Sequence, residues 1–116
     1  MKTTLTVEES QRLIELGVDP KLASYTDVVA DESGNHYVEK LVFSLTDLLS
    51  ILPKEVKIHR DGDTLSMIYH CGQWRVGYTN CAEYCNHTKV APELIDALYQ
   101  LLVWCLDHKI IKLKED

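Results

Sequence analysis

The stretch EVKIHRDGDTLSMIYHCGQWRVGYT, residues 55–79, holds two hairpin turns and an apolar alternation that can be checked against each other. Asp61-Gly62 is a two-residue turn signal, because a type I′ turn needs positive φ at both central positions. It sets Arg60 opposite Asp63, and counting outward places Ile58 opposite Leu65 and Val56 opposite Met67. Cys71-Gly72 as the second turn sets Tyr69 opposite Trp74, Met67 opposite Val76 and Leu65 opposite Tyr78. Both counts bring apolar residues to one face, and a slip of one residue would send them all to the other. The expected element is a three-stranded antiparallel meander over 55–79. Its second face, with Lys57, His59, Thr64, Ser66, Ile68, His70, Gln73, Arg75, Gly77 and Thr79, is mainly polar and faces water.

Something must cover the apolar face. Leu94, Ile95, Leu98, Leu101, Leu102 and Cys105 recur at the spacing of one helical face, and Pro92 suits a first turn, so residues 92–108 read as the covering amphipathic helix. Val103, Trp104 and Leu106 widen its apolar arc, calling for cover from the N-terminal helices or from a second subunit. Upstream, Thr6-Val7-Glu8-Glu9 has the form of a capping box and Gly17 that of a stop. Asp19-Pro20 then opens a short helix to about Tyr25. Ser44 to Asp47 caps another helix, which carries Leu45, Leu48, Leu49 and Leu52 inward and ends at Pro53. Between these lie two strand-like runs joined by Asp31-Glu32-Ser33-Gly34-Asn35, a hairpin over 26–43. The fold class is α+β, and 116 residues make a single domain.

Bulk properties narrow the function classes. A net charge of −6 disfavours nucleic-acid backbone as a partner, since that affinity comes from Lys and Arg neutralising phosphates. The longest apolar run, Leu101 to Leu106, falls well short of the roughly 20 residues of a membrane span. MKTTLTVEES shows no apolar signal segment, so the expected setting is the cytoplasm, with its four cysteines as reduced thiols.

Three constellations are candidates for a site. Cys71, Cys81, Cys85 and His87 follow a Cys-x9-Cys-x3-Cys-x-His spacing of zinc-type ligands, without the paired CxxC knuckles of a strong signal. The meander sets Cys71 about 20 Å or more from Cys81, so the set that geometry leaves is Cys81, Cys85 and His87, with His59 or Asp63 from the first turn. The competing reading makes Cys81 and Cys85 small loop residues and His87 a solvated histidine. The second is thiol catalysis, with Cys81 or Cys85 as nucleophile and His87 as base, but no family signature around them supplies the orienting group and oxyanion donor it needs. The third candidate is an aromatic interface. Tyr69, Trp74 and Tyr78 fall on the inner face and belong to the core, leaving Tyr84, in the connection 80–91, and Trp104 as surface anchors. No phosphate loop, nucleophile elbow or HExxH motif is present, so catalytic residues are not expected.

Four segments taken together, LTVEESQRLIELGVD (Leu5 to Asp19), FSLTDLLSILPKEV (Phe43 to Val56), WRVGYT (Trp74 to Thr79) and ELIDALYQLLVWCLDHKII (Glu93 to Ile111), resemble a family of short uncharacterised proteins encoded in prophages and mobile elements of gut anaerobes. The resemblance implies an intracellular setting and an accessory role, and brings no site residues with it. The expected function is a non-enzymatic protein-interaction or regulatory module, acting on a protein partner or by self-association through the Trp104 end of the last helix. The alternative is a zinc-binding protein.

Overall fold

The first helix, α1 (Val7–Glu15), forms where the sequence supplies both of its ends. The Thr6 hydroxyl accepts from the Glu9 amide at 3.1 Å and the Glu9 carboxylate accepts from the Thr6 amide at 3.0 Å, a reciprocal capping box. At the other end Gly17, at φ 112, donates to the Ile14 carbonyl while Val18 donates to that of Leu13. Leu13 and Val18 are buried together beneath this turn. The computed structural model of the chain describes residues 2–56, 63–79 and 85–108.

The expected helix from Pro20 to Tyr25 is a single 3-10 turn, Pro20–Leu22. Asp19 caps it as expected, accepting from the Lys21 amide at 2.9 Å. Ser24, however, donates both its amide and its hydroxyl to Asp47, which draws the chain into extended structure before Tyr25. Strands β1 (Tyr25–Ala30) and β2 (Tyr37–Val42) then pair antiparallel from Tyr25↔Val42 to Ala30↔Tyr37. This is the expected hairpin, and it forms a sheet of its own. Helix α2 (Leu45–Ile51) follows with a second capping box, Ser44 with Asp47, and buries Leu48 and the succeeding Leu52.

The second sheet has the order β3 (Glu55–Val56), β4 (Asp63–His70), β5 (Gln73–Thr79), β6 (Cys85–Ala91), all antiparallel. The meander stands, and β4 and β5 keep the expected register of Leu65↔Tyr78, Met67↔Val76 and Tyr69↔Trp74. The first pairing differs: Val56 lies opposite Asp63, not Met67. The Leu65 amide donates to the Lys54 carbonyl at 2.8 Å and the Tyr78 hydroxyl to the Pro53 carbonyl at 2.9 Å. These bonds fix the strand's register from its α2 end. Ile58, Arg60 and the Asp61-Gly62 turn lie outside the described residues.

Strand β6 occupies much of what the sequence presents as the connection 80–91. Its run CNHTKVA is too polar to show an apolar alternation, and its ladder to β5 shifts register between Val76 and Tyr78, at buried Gly77. Helix α3 (Leu94–Asp107) packs on β5 and β6 and also meets α2. Its Ile95, Leu98, Leu101, Leu102 and Cys105 close over Val76 and Tyr78, with Phe43, Leu48 and Leu13 completing the core. At roughly 1.5 Å per residue this helix is about 21 Å long and leaves the outer part of the sheet bare. Met67 is 42% and Tyr69 58% exposed, contrary to the expectation that they lie in the core, while Trp74 is partly buried. Tyr69 and Trp74 lean on each other, ring centroids 5.2 Å apart, where the β4–β5 hairpin runs past its cover.

The tip of that hairpin has φ 53 at Cys71 and φ 79 at Gly72, the pair of positive angles that its two-residue turn demands. Cysteine is strained there, whereas asparagine tolerates the left-handed region. Cys71→Asn should therefore raise stability by about 1 kcal/mol, read as a higher urea midpoint at unchanged m-value. A lower midpoint would mean that the thiol makes a stabilising contact.

Candidate functional site

The sequence candidates do not assemble into one site. Cys81, Tyr84 and His59 lie outside the described residues. Cys85 and His87 stand two residues apart on β6, a strand rather than the expected loop. Among the described residues no three His, Cys, Asp or Glu side chains gather closely enough to hold a metal ion. Trp104 is partly buried, packs against the core and stacks on His108 at 4.8 Å. The apolar arc of α3 is thus partly covered within the chain, with Val103 and Leu106 also resting on the core.

Trp104 lines an open groove of about 310 Å³ with Arg12, Lys89, Tyr99, Gln100, Val103 and Asp107. Burial raises the Tyr99 hydroxyl pKa, as does the nearby Glu9 charge, with Arg12 acting against them. The phenol stays protonated at neutral pH. The groove brings cations and aromatics together, but it is shallow and presents no nucleophile beside a base.

A second bare surface is the β1–β2 arm, which was not among the sequence candidates. Its register divides the side chains between two faces. Tyr25, Asp27, Val29, Val38, Lys40 and Val42 share one, where Val42 is buried and Val29 partly so. Asp27 stands opposite Lys40 on this face, and Lys40 shares a cleft with Glu8, Arg12 and Glu15 of α1. Thr26, Val28, Ala30, Tyr37, Glu39 and Leu41 share the other face, and every one of them is exposed. Val28 is 56%, Tyr37 76% and Leu41 39% exposed. The signal was present in YTDVVA and YVEKLV: apolar residues occur at both odd and even positions, so neither face of the hairpin is a purely polar one.

The arm is held at its root by one carboxylate. Asp47 accepts from the Ser24 hydroxyl at 2.5 Å, the Ser24 amide at 2.9 Å and the Ser44 amide at 2.9 Å, while its own amide donates to the Ser44 hydroxyl. It closes the α2 cap and fastens the residue before β1 in the same act. A second tie comes from fully buried Ser10, whose hydroxyl accepts from the Phe43 amide at 3.0 Å just after β2. The N-terminal segment adds Leu5 N–H to Phe43 carbonyl and Leu45 N–H to Thr3 carbonyl. Lys2 reaches across to Asp96 at 2.7 Å and Glu9 at 3.3 Å. Burial works against its charge, but these carboxylates outweigh burial and raise its pKa.

No family model, curated protein or solved structure matches the chain. Among the described residues no helix is long and apolar enough to cross a membrane.

Burial opposes ionisation of Asp47, but its hydrogen bonds from Ser24 and Ser44 prevail and hold the carboxyl below its ordinary 3.8. A depressed carboxyl contributes stability that is complete above its unfolded value and lost as pH falls through the folded one. Unfolding midpoints should accordingly drop below about pH 4, and Asp47→Ala should cost about 2–3 kcal/mol at pH 7 and weaken that pH dependence. A variant with wild-type stability at pH 7 would show that the clasp contributes nothing.

Proposed function

We propose that this protein is a non-enzymatic protein-interaction module of accessory or regulatory kind, and that its partner closes on the β1–β2 arm. The observation that carries the reading is the wholly exposed arm face bearing Val28, Ala30, Tyr37 and Leu41. A two-stranded hairpin is marginal in water, and three or more strands or a packed face are needed for independent stability. Contiguous exposed apolar residues of this kind mark interaction surfaces, and an exposed tyrosine among aliphatics is the usual anchor of one. In the other sheet Met67 and Tyr69 on one face of β4, and Ile68 on the opposite face, are exposed as well. The reading places the chain in the cytoplasm, in keeping with free thiols at Cys71 and Cys105, and takes its accessory character from the family resemblance.

Tagged protein should capture a specific partner from the native host, and the pair Tyr37→Ser and Leu41→Ser should weaken that capture about tenfold or more. Both side chains are exposed, so the unfolding midpoint of the doubly substituted protein should stay near wild type. Undiminished capture by a folded variant would remove the arm from the interaction.

Zinc binding is a second reading, favoured by the position of Cys85 and His87 two residues apart on β6, with Cys81 a few residues earlier in the sequence. Freshly purified protein should then carry close to one equivalent of zinc. Less than about a tenth of an equivalent by elemental analysis would eliminate it, since structural zinc is held very tightly.

A further inference from the structure

The β1 strand pairs with β2 along one edge, and among the described residues no strand pairs with its other edge. Natural edges are blunted by lysines, prolines or bulges. The segment YTDVVA has none of these: its ladder runs unbroken from Tyr25 to Ala30, and its one charge, Asp27, stands opposite Lys40 of the same hairpin. The Val28 amide donates to the carboxylate of the adjacent Asp27 at 2.9 Å, a local bond that an incoming strand carbonyl can replace. Edge and exposed face together suit strand addition.

We infer that the strand added is β1 of a second copy, paired antiparallel about Val28, so that two arms make a four-stranded sheet in the order β2, β1, β1, β2. This rests on the reading of the chain as an interaction module and adds to its exposed face a self-pairing edge.

Symmetry and charge select both the partner and the register. In a two-fold antiparallel pairing the axis is perpendicular to the sheet, and opposed residues must lie on the same face. Opposed residues then differ in number by an even amount, which leaves two registers that overlap nearly all of β1. Centring on Asp27 would set two carboxylates directly opposite, which is unfavourable. Centring on Val28 sets Val28 opposite its own symmetry mate, Asp27 opposite Val29 and Thr26 opposite Ala30 of the other copy. No like charges then meet within the strand. On the exposed face this register makes one continuous row, Leu41 and Thr26 of one copy beside Ala30 and Tyr37 of the other. An extended peptide of another protein would satisfy the same edge, but nothing in the arm selects its sequence, whereas YTDVVA is complementary to itself.

A strand pairing of this length buries less than the roughly 1,200 Å² of a standard stable interface, so the dimer is a weak one that forms as concentration rises. Sedimentation velocity from about 10 to about 500 μM should show wild-type mass moving toward twice the monomer value. Positions 26 and 30 test the register, because both are exposed and each faces an uncharged residue, Leu41 or Tyr37, within its own hairpin. Thr26→Lys with Ala30→Lys sets like charges opposite across the new pairing and should weaken the dimer about tenfold or more. Thr26→Lys with Ala30→Glu sets opposite charges there and should dimerise at least as well as wild type. A circular dichroism spectrum and unfolding midpoint near wild type identify variants that have folded. A wild-type monomer throughout, or a dimer that treats the two double variants alike, overturns the pairing. If capture of a host protein through Tyr37 and Leu41 persists in that case, the interaction reading stands without self-pairing; if capture is absent as well, both fall.

Discussion

Tyr78 is the side chain on which the body of the protein depends. It sits on an interior strand, fully buried beneath α3, and a phenol in that position must place its hydroxyl on a partner or lose the solvation it had in water. The partner is the Pro53 carbonyl, just beyond the end of α2. One bond therefore joins the sheet to the α2 exit, and the helix above supplies Cys105 beside the same phenol. Burial pushes the Cys105 thiol up to about 12, with Tyr78 acting the other way, and burial likewise raises the Tyr78 hydroxyl. Both groups are neutral at physiological pH and serve packing.

That arrangement fixes what is covered and what is not. Helix α3 lies on β5 and β6, so the β4–β5 hairpin extends past it, and the Met67, Tyr69 and Trp74 cluster is left at the margin of the core. The β1–β2 arm leaves the body at a different place, tied by Asp47 at its beginning and by Ser10 at its end. Both ties are at the root. Beyond them the arm rests on its own ladder and, on one face, against α1, and its exposed apolar face is the surface on which an interaction can add most stability.

Local signals in the chain were legible where a few adjacent residues carry the whole cause. The Thr6–Glu9 and Ser44–Asp47 boxes, the Gly17 stop, the Cys71-Gly72 turn and the β4–β5 register each follow from chemistry within one or two turns of chain. The same is true of the apolar stripe of α3. The expectations that failed are those in which a distant residue decides. Strand β3 does not take the register counted outward from Asp61-Gly62, because Lys54 and Pro53 are bonded to Leu65 and Tyr78. The helix expected to reach Tyr25 is cut short because Ser24 is bonded to Asp47.

The meander and its covering helix were thus determined by the sequence itself, through turn stereochemistry and the two periodicities of apolar residues. Which part of the meander is core was decided only in three dimensions, because burial depends on where a helix of about 21 Å comes to rest over a wider sheet. The candidate surface belongs to that second class. YTDVVA and YVEKLV specify a hairpin with apolar residues on both sides, but only the tertiary structure leaves one side uncovered, since every described side chain on that face is exposed.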